Sequence, residues 1–247
     1  MISNLNDSDR QNEINILKKD NEKLRYLLSD NISSKKELFE FYDYSKSQIC
    51  QDWFILETLN YKEKGFFVEI GAASGVELSN TYLLEKKYDW DGILSEPSPG
   101  WRDSLEANRS CIKDYRCVYS ESGKTVNFHQ TSEKEYSTIV DFSNSDKHQS
   151  KRRNFTQYEI GTITLNDLLK EYKAPLEIDY LSIDTEGSEY EILKDFDFKK
   201  YSFKVITVEH NNTINKPLIN KLLEKNGYKK QLEELSQFES WFINSNP

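Results

Sequence analysis

The sequence predicts an α/β fold built on a doubly wound, mostly parallel sheet, and three observations point to it. Short apolar runs alternate with helix-like segments from residue 66 onward, the order that gives a parallel sheet covered by helices on both faces. The first run breaks into a small-residue turn, Gly71-Ala-Ala-Ser-Gly75, where such folds let the backbone approach a ligand. Four runs carry an acid at or beside their last position, namely Glu69, Glu96, Asp184 and Glu209. Ligands of open α/β sheets sit beyond these strand ends.

The elements follow in order. Residues 1–33 contain no Gly, Pro or Trp, and Ile14, Leu17, Leu24 and Leu28 fall at three- and four-residue steps around Asn21. That is a two-heptad seam with a polar residue at one position, a candidate short coiled coil that would join two chains through residues 10–30. The plain alternative is an amphipathic helix packed on its own domain. Residues 35–60 read as helical. Phe66–Ile70 is the first strand, Leu78–Lys87 a helix, Gly92–Glu96 the second strand, Trp101–Asn108 a helix and Arg116–Ser120 the third strand. A turn at Gly123-Lys124 leads into a short strand, Thr125–His129. Residues 129–160 are polar and without a clear period, and are expected to form a lid or insertion loop. Leu165–Tyr172 is a helix capped by Thr164 with Asp167 three residues on. Ile178–Ile183 is the fourth strand, Ser188–Leu193 opens a helix, and Phe203–Val208 is the fifth strand. The helix Lys216–Asn226 stops at Gly227, before a final antiparallel pair, Tyr228–Glu234 and Phe238–Asn244. The expected organisation is a helical extension over 1–33 and one catalytic domain over 34–247.

Composition limits the partners. The chain of 247 residues carries 42 acidic against 33 basic groups, a net charge of −9, which argues against duplex nucleic acid as the main partner. No segment approaches the ~20 apolar residues of a membrane span, and the polar N-terminus is unlike a signal peptide. Cys50, Cys111 and Cys117 have no metal-ligand spacing and cannot all pair, which suits a reducing, cytoplasmic setting.

The chemistry gathers at the strand ends. A dinucleotide loop needs G-x-G-x-x-G. Here Glu69-Ile-Gly71-Ala72-Ala73-Ser-Gly75 leaves acidic-x-Gly-x-x-x-Gly, the pattern suited to S-adenosylmethionine, whose ammonium and sulfonium favour a nearby carboxylate. Glu96, followed by Pro97, lies 25 positions after Gly71, placed to bind a ribose diol. Asp184-Thr-Glu186-Gly187 and Glu209-His210-Asn211 open on the same rim. Methyl transfer to oxygen needs a group that takes up the hydroxyl proton. His210 is the best such base among three histidines, with Asp184 orienting the acceptor or accepting the proton itself, and Glu209 and Glu186 beside them. Carboxylates around one histidine can also hold a divalent ion that lowers the acceptor pKa, although no residue set is assigned to a metal. The plain alternatives are a satisfied strand-end histidine for His210 and a helix-dipole partner for Glu186.

The runs Ser47-Gln-Ile-Cys-Gln-Asp52, Gly65-Phe-Phe-Val-Glu-Ile-Gly-Ala-Ala-Ser-Gly75, Leu78-Ser-Asn-Thr-Tyr-Leu-Leu-Glu85, Trp90-Asp-Gly-Ile-Leu-Ser-Glu-Pro-Ser-Pro99, Ile178-Asp-Tyr-Leu-Ser-Ile-Asp-Thr-Glu-Gly-Ser-Glu-Tyr-Glu-Ile-Leu193 and Val208-Glu-His-Asn211 are ordered and spaced as in the FkbM-type methyltransferases, which the chain resembles over residues 45–245. The resemblance implies a class I Rossmann-like methyltransferase that uses S-adenosylmethionine and acts on hydroxyl groups, often of sugars, glycans or polyketides. It carries cofactor roles to Glu69, Gly71, Asn80, Glu96 and Ser120. The chain departs from the family at Ala72-Ala73-Ser74, where Asn and Asp commonly fill the last two places.

The expected acceptor is a small molecule or glycan. Tyr136, Phe142, Phe155 and Tyr158 would stack on a sugar ring, and Lys151, Arg152 and Arg153 would grip an anionic group. The plain alternative for that triplet is a solvated loop cluster. Two competing functions are an RNA ribose methyltransferase, which the acidic charge disfavours, and a non-catalytic module assembled through the N-terminal helix.

Overall fold

The computed structural model describes residues 43–143 and 148–245. The expected helix over residues 10–30 and the first part of the one expected over 35–60 lie outside them. The second part is α1 (Gln51–Thr58), entered through Cys50 at φ +69°. Asp52 is fully buried and accepts from the hydroxyls of Ser45 and Ser47 at 3.1 and 2.6 Å and from the Trp53 amide at 2.9 Å. The Ser47–Asp52 run thus closes the helix entry on itself.

The central sheet contains β1 (Phe66–Ile70), β2 (Asp91–Ser95), β3 (Ile112–Asp114), β8 (Glu177–Ile183), β9 (Ser202–Glu209), β10 (Tyr228–Gln231) and β11 (Glu239–Asn244), in the spatial order β10-β11-β9-β8-β1-β2-β3. Strands β3, β2, β1, β8 and β9 run parallel, and β11 lies antiparallel between β9 and β10. Alternate residues supply opposite cores, as the two-residue strand period requires. Phe67, Tyr180, Val205 and Trp241 pack with α1 and with α2 (Tyr82–Tyr88). Val68, Leu181, Ile206 and Phe242 pack on the other face with α4 (Leu165–Glu171) and α6 (Asn215–Lys225). The doubly wound, mostly parallel α/β fold with its antiparallel strand is therefore present, and the fold is Rossmann-like. The Thr164 side chain accepts from the Asp167 amide at 3.1 Å, the cap read from the sequence.

Three local expectations are corrected. The helix expected from Leu78 begins only at Tyr82, because Leu78 sits at φ +61° and the next three residues turn toward Glu69. The third strand of the sheet is Ile112–Asp114. The Asp114 carboxylate accepts the Arg116 amide at 2.7 Å and turns the chain away, so β4 (Cys117–Val118) enters a second sheet. That sheet has the order β4-β7-β5-β6, with β5 (Thr125–Thr131), β6 (Thr138–Ile139) and β7 (Phe155–Ile163). The segment read as a loop over 129–160 thus contains half of a long antiparallel ladder, β5 on β7. Its polarity has a physical cause, since residues 155–157 and 159 of β7 are exposed while Ile160 joins a small core with Cys117, Phe128 and Ile139.

Candidate active site

A cavity of about 190 Å³ opens at the carboxyl ends of β1, β2, β8 and β9 and is roofed by the second sheet and its connections. Its floor is the loop after β1. Gly71 takes φ +90°, and a Cβ there would lie 1.7 Å from the Asp184 carbonyl, so only glycine lets the ends of β1 and β8 touch. Gly71 and Ala72 donate to the Ser95 carbonyl at 2.9 and 3.2 Å. Ala73, at φ +46°, donates to Glu96 Oε2 at 2.8 Å, and Ser98 donates to Glu96 Oε1 at 2.8 Å. Burial outweighs these two bonds and lifts the Glu96 carboxyl to about 7. The loop after Glu96 is held from the second sheet. Gln130 Oε1 accepts from the Ser98 hydroxyl at 2.9 Å and from the Gly100 amide at 2.7 Å, and Lys134 Nζ donates to the Gly100 carbonyl at 2.8 Å.

The acidic wall comes from the ends of β8 and β9. Asp184, Glu186 and Glu209 line the cavity, and each can offer one oxygen within 4.8 Å of the others. Three such oxygens can accept a divalent cation. Burial raises Asp184, with the Glu69 charge adding to it and a hydrogen bond from Glu209 opposing it. Burial raises Glu209 well above the ordinary carboxylate range, and the charges of Asp184, Glu186 and Glu189 push it further. Two facing carboxyl groups cannot both ionise cheaply, and the hydrogen bond from Glu209 favours Asp184 as the ionised member of the pair. Glu186, at φ +60°, forms an ion pair with Arg152 at 2.7 Å.

Other residues singled out in the sequence stand elsewhere. Glu69 is buried and does not line the cavity. It accepts from the hydroxyls of Ser79 and Thr81 at 3.0 and 2.6 Å and from the Asn80 amide at 2.7 Å. Asn80 is buried too and donates to Ser182 Oγ at 2.9 Å. Gly75, at φ +75°, packs against Arg109 and Leu105. Ser120 is outside the lining, whereas Pro97 is within it. His210 is also outside the lining. It is buried, its Nδ1 accepts from the Asn212 amide at 3.0 Å, and burial with nearby Lys216 lowers it to about 4. A base must reach the proton it takes, and of the two candidates Asp184 stands on the cavity wall while His210 stands behind it.

The cationic triplet also lies outside the cavity lining. Arg152 is buried, donating to Glu186 and to the Tyr136 carbonyl at 2.9 Å. Lys151 is exposed and paired with Glu133 at 2.7 Å, and Arg153 is exposed outside the cavity. Tyr158 and Phe142 pack on the small core of the second sheet, and Phe155 stacks on His129 with ring centroids 3.6 Å apart. Of the four aromatics proposed for stacking, Tyr136 alone lines the cavity, and it stacks on His148 at 4.7 Å. His148 lines the cavity as well. Sequence reasoning missed His148, Gln48, Trp101 and Phe238. Gln48 stood inside a quoted run, but nothing local marks the others as cavity residues.

The arrangement is a backbone-lined floor, a carboxyl group on one side and an acidic wall on the other, all on the switch edge of a parallel sheet. A family model described as the methyltransferase FkbM domain matches residues 69–230. The chain belongs to the FkbM methyltransferase family. Among solved structures, the methyltransferase FkbM from Methylobacillus flagellatus KT aligns at TM-score 0.48 and 13% identity over 93% of this chain. The alignment spans 59% of that protein's length. The precorrin-6y C5,15-methyltransferase from Geobacter metallireducens GS-15 aligns at TM-score 0.40 and 12% identity, covering 81% of this chain and 88% of that one. The Methanococcus jannaschii fibrillarin pre-rRNA processing protein aligns at TM-score 0.38 and 13% identity, covering 75% and 69%. No curated protein matches the chain. Among the described residues, no helix is long and apolar enough to cross a membrane.

Proposed function

We propose that this FkbM-family chain is an S-adenosylmethionine-dependent O-methyltransferase acting on a hydroxyl of a saccharide or glycan-type acceptor. The observation that carries the reading is the cavity between the Gly71–Ala73 floor, Glu96 and Asp184. Its residues fit the cofactor's chemistry. Glu96 has two oxygens, each accepting one backbone amide, which leaves lone pairs for a ribose diol. Cys117, Val118, Phe128 and Ile139 give an apolar lining suited to an adenine ring. Asp184 gives negative charge for the sulfonium, which S-adenosylhomocysteine lacks.

Bound there, the cofactor supplies an electrophilic methyl group. The chain's own residues do the rest. The floor and Glu96 orient the donor, and Asp184 accepts the hydroxyl proton of the acceptor. A raised carboxylate pKa brings Asp184 closer to the pH at which it works, which strengthens it as a base. Glu209, holding its own proton, donates to Asp184 and fixes its orientation. Tyr136 and His148 line the cavity, where with donor and acceptor bound they would shield the reacting atoms from water. The acidic wall favours a neutral polyol over the anionic acceptor that Lys151 to Arg153 would have gripped, because Arg152 already serves Glu186.

Calorimetric titration with S-adenosylmethionine and S-adenosylhomocysteine tests the cofactor, and transfer of labelled methyl to a glycan panel, with magnesium or with chelator, tests the reaction. Micromolar binding and labelled O-methyl products are expected. Loss of transfer in chelator would assign Asp184, Glu186 and Glu209 to a divalent ion. Failure to bind either nucleoside would favour a non-catalytic module.

A further inference from the structure

The loop that floors the cavity has little with which to fix its own shape. From Gly71 to Gly75 it offers only Gly, Ala and Ser side chains. Ser74 Oγ accepts from the amides of Val76 and Glu77 at 3.3 and 3.2 Å, the amides of Gly71, Ala72 and Ala73 tie its first half to Ser95 and Glu96, and the hold on its second half comes from behind. The end of α3 (Arg102–Asn108) supplies it. Asn108 Nδ2 donates to the Ser74 carbonyl at 2.9 Å, and Arg109 Nη1 donates to the Gly75 carbonyl at 3.1 Å. Two successive carbonyls are thus held by two successive residues.

We infer that Arg109 is a positioning residue for the cofactor, setting the shape of the 71–81 loop from the side facing away from the ligand. Its side chain is 0% exposed and spends all three guanidinium nitrogens on this region. Nη1 reaches both the Gly75 carbonyl and Ser79 Oγ at 3.1 Å, Nη2 reaches Thr81 Oγ1 at 2.9 Å, and Nε pairs with Glu85 at 2.6 Å. Glu69 closes the ring. It lies 3.7 Å from Nη1 and accepts from the same two hydroxyls, Ser79 and Thr81. Arg109 Cγ also lies 2.6 Å from where a Gly75 Cβ would stand, so the residue pins the loop sterically as well. Ser79, Gly71, Ala72 and Ala73 face the cavity on the other side of this ring.

Two consequences follow. The Glu69 charge is neutralised by Arg109 and turned toward hydroxyls, so Glu69 acts on the cofactor through the loop and the cationic part is left to Asp184. A lysine cannot replace Arg109, because a single ammonium cannot span Gly75, Ser79, Thr81 and Glu85 from one fork.

The inference rests on cofactor use at this cavity, so the wild-type chain is titrated first with S-adenosylhomocysteine. No binding there overturns the cofactor reading itself. With binding established, Arg109→Lys is expected to weaken the calorimetric Kd on the order of 10-fold, the loss of hydrogen bonds to a charged group. KM for S-adenosylmethionine should rise by the same factor, with kcat nearly unchanged at saturation. Thr81→Val, which keeps the side-chain shape, should weaken binding in the same direction by less, and it decides the matter if Arg109→Lys does not fold. Folded variants that bind S-adenosylhomocysteine like wild type, or that lose kcat with KM unchanged, would overturn the inference.

Discussion

At the scale of single residues, the decisive contrast is between Asp184 and His210, adjacent in importance in the sequence but differently placed in the fold. Asp184 lines the cavity and His210 does not. Asp184→Asn should therefore abolish turnover while leaving S-adenosylhomocysteine affinity within a few-fold. His210→Asn should keep turnover within a few-fold once its folding is confirmed by circular dichroism. The reverse pattern in steady-state kinetics would return the base to His210. Glu96 supports a pH experiment. Its carboxyl is raised from 4.5 to about 7 by burial. In the free chain, its contribution to stability is therefore full below pH 4.5 and lost as pH rises through 7. A ribose diol donates to the carboxylate form, so ligand binding should release a proton. Affinity for S-adenosylhomocysteine should climb as pH rises to about 7 and level off above it. Calorimetry in buffers of different ionisation enthalpy reads the released proton, and Glu96→Gln should flatten both effects. A pH-independent wild type would separate Glu96 from the ribose.

At the scale of elements, the roof depends on one buried cation. Arg152, on a turn of the insertion, joins Glu186 after β8 to the Tyr136 carbonyl beside β6. Removing one partner of a buried ion pair strands the other charge, at a cost of about 3–5 kcal/mol. Arg152→Gln should lose stability on that scale in guanidinium unfolding. Lys151→Gln, which breaks a half-exposed, solvent-screened pair with Glu133, should leave it nearly unchanged. Equal effects would show that the Arg152 pair does not hold the roof. These elements also show where the sequence stopped being informative. The central strands were legible because each carries a short apolar stretch whose residues are buried toward both faces, and the helix after Thr164 because its cap is local. The second sheet was not. β7 alternates exposed polar residues with few buried ones and pairs with a partner about 30 positions away, so no short window contains its signal. For the same reason the sequence showed the strand-end acids of the site but not His148 or Arg109, whose roles come from long-range packing. Glu69 was visible as a motif residue, yet its direction depends on Arg109, 40 positions further on.

At the scale of the whole molecule, the chain couples an acidic catalytic fold to an N-terminal segment with a seam of its own. Residues 1–42 lie outside the described residues, and the sequence pattern carries the argument. Ile14, Leu17, Leu24 and Leu28 flank Asn21 over two heptads. A helix this short is marginal alone in water and gains stability by burying its apolar stripe. A polar residue within such a seam sets register between two helices. A net charge of −9 opposes nonspecific association of two copies, so a specific seam is the feature that would bring them together. The full chain is therefore expected to sediment as a dimer, and the double variant Leu17→Asp, Leu24→Asp as a monomer with unchanged affinity for S-adenosylhomocysteine. Higher salt should tighten the wild-type dimer by screening like charges between the two acidic domains. Analytical ultracentrifugation at two salt concentrations reads all three. A wild-type chain that stays monomeric, or a variant that dimerises as well as wild type, would assign the seam to packing within one chain.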